Sequence, residues 1–262
     1  MPAVQRGDRR IHHGVEGSGP GIVLVPGIGS GAKLFGTLPR RFARSGFTCS
    51  AIDPVGLEPS SPLPDGRFDF DAAADDLLAV AATLPAPVAL VGTSFGGKVA
   101  LRAAVRRPGA VHRLFLLGSA AAVSERARRV HRMFELLAGE VDGALLGELL
   151  APFLFGATFL RQRKDVVDDI VRSMRPTPQG RAFMAAQAQA LRQYDGSDDA
   201  RACRVPTLCL GGAEDTLAPP DEVVATAALI PGARHRILAS AGHSLLLESA
   251  AAFDEVVAFV RS

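Results

Sequence analysis

Pro87–Val88–Ala89–Leu90–Val91–Gly92–Thr93–Ser94–Phe95–Gly96–Gly97 is a short apolar run that ends in Gly-x-Ser-x-Gly. Lys98–Val99–Ala100–Leu101–Arg102–Ala103–Ala104 follows and reads as a helix. Strand, sharp turn and helix in that order are the setting in which Gly-x-Ser-x-Gly denotes a nucleophilic serine. Such a turn lifts Ser94 above the sheet edge in a strained conformation, and a Cβ at Gly92 or Gly96 would collide with a neighbouring strand or helix. The Phe95 N–H then opens the following helix, where orphan donors and the helix dipole favour an oxyanion. With 27 glycines in the chain the motif alone could recur by chance, so its flanks and partners have to carry the reading.

A serine hydroxyl is a weak nucleophile that needs a base, and the base needs an orienting acid. The chain has 6 histidines: His12, His13, His112, His131, His235 and His243. His112 opens the apolar stretch Val111–Leu117, and His235 lies within the expected strand Ala233–Ala239. His131 sits in an arginine-rich helical stretch and is expected to be solvated. His12 and His13 are adjacent, so on a strand they point to opposite faces. His243 differs: Ser240–Ala241–Gly242–His243–Ser244 is a small-residue loop between a strand and the helix Ser249–Val260, from which an imidazole can reach over a sheet edge.

The acid is placed at Asp215. The strand Val205–Leu210 ends in Gly211–Gly212–Ala213–Glu214–Asp215–Thr216–Leu217–Ala218–Pro219–Pro220: glycines release the chain, an acid follows, and two prolines start a helix. Glu214 is the nearest competitor, otherwise a solvated loop carboxylate. Asp221 falls in the first turn of the helix, where the dipole alone favours it.

The order Ser94, Asp215, His243, each after a strand, resembles the α/β-hydrolase superfamily, whose chain order is Ser…Asp/Glu…His. The resemblance covers nearly the whole chain. It includes Ile22–Val23–Leu24–Val25–Pro26–Gly27–Ile28–Gly29–Ser30, which looks like the family's oxyanion loop after its first central strand. By that resemblance the Ile28 N–H is the second oxyanion donor beside that of Phe95. Pro26 stands where the family usually has a histidine, which leaves the triad intact but alters the loop's hydrogen bonding. The Gly-His loop followed by Glu248 also fits, with Glu248 bonding locally. Some members carry the acid after the strand that follows the nucleophile helix. Here that strand leads into Gly118–Ser119–Ala120–Ala121–Ala122–Val123, with no carboxylate before Glu125, which favours Asp215.

Composition sets the class. A chain of 262 residues suffices for one core, and 48% hydrophobic with 21% charged residues is globular composition. A net charge of +2, scattered arginines and 6% aromatics offer no stacking platform, so no nucleic-acid partner is expected. Cys49, Cys203 and Cys209 form no Cys-x-x-Cys pair, and Cys49 and Cys209 read as buried strand residues; so sparse and odd a count fits a reducing compartment. The polar start Met1–Pro2–Ala3–Val4–Gln5–Arg6–Gly7–Asp8–Arg9–Arg10 shows no leader pattern, and no uncharged run has the length of a membrane span. The expectation is a cytoplasmic protein without membrane association, cofactor or metal.

The chain alternates strand and helix. After a polar hairpin or strand (Arg9–Glu16) come strands at Gly21–Val25, Phe47–Asp53, Val88–Thr93 and Val111–Leu117, separated by helices near Lys33–Ser45, Phe70–Leu84 and Gly97–Arg107. This predicts an α/β fold with a doubly wound, mostly parallel sheet and ligands beyond the carboxyl ends of its strands. From 124 to 200 no strand is visible; helices are expected at Glu125–Leu137, Gly143–Leu149, Asp165–Met174 and Gly180–Tyr194. The resemblance makes this stretch a helical lid inserted in a core of residues 1–123 and 201–262. Its Met133, Phe134, Leu137, Phe153, Leu154, Phe155 and Phe159 either line an acyl pocket or pack the lid on the core. Arg126, Arg128, Arg129 and Arg132 read as a solvated face, and the Pro/Gly-rich loop Asp53–Gly66 as a lining of the pocket mouth.

Together these expectations describe a serine hydrolase acting on a small-molecule ester or lactone through an acyl-enzyme on Ser94. A carbon–carbon bond hydrolase or lyase using the same triad, or a small-ligand receptor without turnover, are the alternatives that fold-level analogy leaves open. Oligomeric state is not legible.

Overall fold

A computed structural model describes residues 2–141 and 143–262. Eight strands form one sheet: β1 (Ala3–Arg6), β2 (Arg9–Glu16), β3 (Gly21–Val25), β4 (Thr48–Asp53), β5 (Val88–Thr93), β6 (Arg113–Leu117), β7 (Thr207–Gly212) and β8 (Arg234–Leu238), in the order β1-β2-β4-β3-β5-β6-β7-β8. β1 and β2 pair antiparallel, as do β2 and β4; every other neighbour is parallel. The doubly wound sheet is therefore as expected, with β1 an edge strand that its polar sequence hides.

The central strands read as continuous apolar runs because both faces are covered. In β3, Ile22 and Leu24 join one core with Phe42, Phe115, Phe253 and Phe259, while Val23 and Val25 join the other with Leu77, Leu101 and Leu114. The two-residue side-chain period of a strand divides them. On the first face lie α1 (Leu38–Arg44) and the terminal α12 (Ala250–Arg261). On the second lie α2 (Phe70–Ala81), α3 (Phe95–Arg106) and α10 (Pro220–Leu229). α2 begins where the Asp69 side chain accepts from the Asp71 and Ala72 N–H groups. The expected helix Lys33–Ser45 is divided: Gly36 has φ +49°, and a 3-10 turn (Ala32–Phe35) precedes α1.

Among the described residues between β6 and β7 the regular elements are all helices: α4 (Glu125–Glu140), α5 (Gly143–Leu154), α6 (Ala157–Gln162), α7 (Lys164–Ser173), α8 (Pro178–Gln193) and α9 (Ser197–Ala202). Ser124 and Thr177 cap α4 and α8 through their hydroxyls. α4 and α8 pack through Phe134, Ala138, Met184 and Ala188, whereas Phe155 and Phe159 form a separate cluster with Val167 and Val171. Among the described residues no helix is long and apolar enough to cross a membrane.

Candidate active site

Ser94 sits where β5 ends and α3 begins. Its backbone is at φ 51°, ψ −116°, and among the described residues only Asp65 shares a positive φ without being glycine. That conformation is costly for an L-residue and persists only when its surroundings fix it. They do so here: the Ser94 N–H donates to the Leu117 carbonyl at 2.8 Å, and its own carbonyl accepts from Gly97 at 3.0 Å. The flanking glycines permit the turn. A Cβ on Gly92 would stand 2.5 Å from the Gly96 carbonyl oxygen, and one on Gly96 would stand 2.3 Å from that of Val25.

Those neighbours are backbone atoms of the central sheet and α3, which cannot swing aside. Gly96→Ala is therefore expected to cost about 3 kcal/mol or more in urea unfolding. Gly109→Ala, where a Cβ meets nothing within 4 Å, changes stability by less than about 0.5 kcal/mol.

His243 and Asp215 come together from the loops after β8 and β7. Asp215 Oδ2 lies 2.8 Å from His243 Nδ1, with the Asp215 side chain fully buried. Its other oxygen, Oδ1, accepts from the Leu217 N–H at 2.8 Å and the Ala218 N–H at 3.0 Å, so the carboxylate is fixed at both ends. Gly118, φ +54°, leaves room for the pair: a Cβ there would lie 3.2 Å from both Asp215 Oδ2 and His243 Nδ1. Glu248 ties the histidine loop down, accepting from the Gly242 and Ser244 N–H groups and from Gly156, each at 2.8 Å. Burial raises its pKa, against the pull of those three bonds.

Among the described residues Glu214, the competing acid, makes no hydrogen bond to His243. Its carboxylate accepts from the Thr158 N–H at 2.7 Å and from the Thr158 hydroxyl. These bonds lower its pKa and make it an anchor of α6, rather than the solvated loop carboxylate expected.

Ile28, Ser94, Phe95 and His243 line one narrow cavity of ≈ 50 Å³. Among the described residues, neither the Ile28 nor the Phe95 N–H donates to a protein acceptor, and no hydrogen bond joins the Ser94 hydroxyl to His243. The oxyanion loop is held from the helical segment: Gln187 of α8, buried, accepts from the Gly29 N–H at 2.7 Å. That contact was not legible, since a glutamine on a long helix gives no sign of its partner.

Other expectations need correction. His131 is buried, not solvated, because α4 turns that face onto α8 and the core, and burial beside Lys98 pushes its pKa down to about 4. Its ring joins Phe134 in lining the Ser94 cavity. The loop Asp53–Gly66 does not: Pro54, Val55 and Leu63 line another cavity, of ≈ 260 Å³, which Pro26 and Phe95 also line. The remaining histidines stand apart, with His12 bonded to Asp53 at 2.7 Å and His13 to Ser50 at 3.0 Å. Among the described residues no group of three or more His, Cys, Asp or Glu side chains could hold a metal ion.

A family profile described as alpha/beta hydrolase fold matches residues 20–250. Pyrrolizixenacetamide deacetylase of Xenorhabdus hominickii is 30% identical over 100% of the chain and 97% of its own length. Polyketide synthase ThaQ of Burkholderia thailandensis is 33% identical over 92% of the chain, which spans only 12% of that protein. Among solved structures, the enol-lactonase from Burkholderia xenovorans LB400 superposes with a TM-score of 0.87 at 24% identity, covering 100% of both chains. That last likeness concerns the fold alone.

Proposed function

Since the chain belongs to the alpha/beta-hydrolase fold family, we propose that it hydrolyses a small carboxylic ester or lactone through an acyl-enzyme on Ser94. One observation carries the reading: a serine held at φ 51° shares a cavity with an imidazole whose far nitrogen is fixed by a buried, doubly anchored carboxylate. Nothing in a merely structural serine calls for that expense.

In this reading His243 takes the Ser94 proton as the hydroxyl attacks the carbonyl carbon. Asp215 holds the imidazole in the tautomer with Nδ1 protonated and stabilises the cation that forms. The unengaged N–H groups of Phe95 and Ile28 receive the oxyanion, Phe95 with the dipole of α3 behind it. His243 returns the proton to the leaving oxygen, then activates the water that frees the acid. The Ser94 hydroxyl must rotate onto His243 for the first step, a torsional adjustment typical of unliganded sites. Residues 124–200 act as the lid, with Gln187 coupling α8 to the oxyanion loop. No metal or cofactor takes part in this scheme.

The acyl chemistry agrees with the name of the deacetylase among the similar proteins. The test is hydrolysis of short-chain p-nitrophenyl esters and of small lactones in a pH-stat. Turnover that persists in EDTA is expected; loss of all turnover in EDTA, restored by a metal, would contradict the scheme.

A further inference from the structure

Lys98 is the residue that this chemistry leaves unexplained. It lies on α3 one turn beyond Ser94, about 6 Å along the axis, and lines the same cavity. Only 8% of its surface is exposed. Its ammonium donates to the Ala120 carbonyl and sits 4.9 Å from the Tyr194 ring centroid, yet among the described residues no carboxylate lies within ion-pair distance of it. Buried charges are ordinarily paired, because taking an ammonium out of water is costly. Burial drags its pKa down to about 8, with Glu222 pulling the other way. Glu222 is engaged elsewhere, accepting from the Ser124 hydroxyl at 2.6 Å.

A second buried group faces the same space. His131, 9% exposed and carried by α4, lines the cavity, and its Nδ1 has no hydrogen-bond partner. Its ring also donates to the Leu191 backbone carbonyl, so the neutral imidazole has no second N–H to offer at Nδ1. A cation without a counter-ion thus lines the cavity that holds the strained serine, beside a buried imidazole.

We propose that Lys98 forms a carboxylate subsite, and that the preferred substrate is an ester or lactone bearing a free carboxylate a few carbons from the scissile carbonyl. The inference rests on Ser94 being the nucleophile. The substrate carboxylate supplies the missing counter-ion to Lys98. One helical turn between Ser94 and Lys98 sets the separation, which suits the half-ester of a dicarboxylic acid of about four to six carbons. Glu222, a like charge on the same wall, limits the gain without cancelling it, since it makes no contact with the ammonium.

The experiment compares methyl hydrogen glutarate with methyl 5-methylhexanoate, in which an isopropyl group of similar shape replaces the carboxylate. At pH 7 the wild-type protein is expected to prefer the half-ester by tenfold or more in kcat/KM. Lys98→Met is expected to cut that preference at least tenfold, with Lys98→Gln used if the methionine variant is insoluble. A wild-type preference below about threefold overturns the subsite whatever the variants do, as does a preference unchanged in a soluble variant. Cleavage of both methyl esters without preference leaves the Ser94 reading standing and removes only the subsite. Cleavage of neither compound, nor of any p-nitrophenyl ester, removes both.

Discussion

Ser94→Ala is expected to lower kcat/KM for a short-chain ester by about 10⁴-fold or more while leaving the unfolding midpoint close to that of the wild type. The size follows from the role: without the hydroxyl no acyl-enzyme forms, and only binding and the two N–H donors are left to act on a water. The stability expectation has its own logic. Alanine at φ 51° pays nearly the same backbone cost as serine, and no hydrogen bond of the side chain is lost. A variant keeping near-wild-type turnover would place the nucleophile elsewhere. A variant that fails to fold would mean that the hydroxyl supports the turn.

The second large effect is at Asp215. Asp215→Asn is expected to cost about 10⁴-fold in kcat, because an amide can donate to Nδ1 and so stabilise the wrong tautomer of His243. The neighbouring Glu214→Gln is expected to cost less than about tenfold, since Glu214 bonds Thr158 and does not reach the imidazole. Kinetics of the two variants side by side decide between the acids. Equal activity in Asp215→Asn with loss in Glu214→Gln would reverse the assignment.

The strand–turn–helix setting of Ser94 was legible because three constraints coincide on adjacent residues: an apolar strand, glycines where a Cβ has no space, and a helix start. The parallel sheet was equally legible, as strands covered on both faces leave long apolar runs such as Ile22–Val25. β1 was not, for an edge strand of alternating exposure carries no such run. α6 and α9 span six residues each, too few for a helical period to show.

The chosen Asp215 and His243 meet in the structure, but the loops between them were readable only in outline. The environment of the site was mostly hidden. That His131 is buried depends on how α4 docks, and an arginine-rich neighbourhood points the other way. Gln187 and Lys98 act through tertiary placement alone. Lys98 is the clearer lesson: a lone lysine in a sequence does not announce burial, and only the seating of α3, buried along most of its length against β5, β6 and Tyr194, removes it from water.

Intact-mass detection of fluorophosphonate labelling, comparing wild type with Ser94→Ala, tests the central claim most directly. One adduct on the wild-type protein and none on the variant is the predicted result. An adduct of equal yield on both, or none on a folded wild-type protein that binds the probe reversibly, would contradict an activated Ser94.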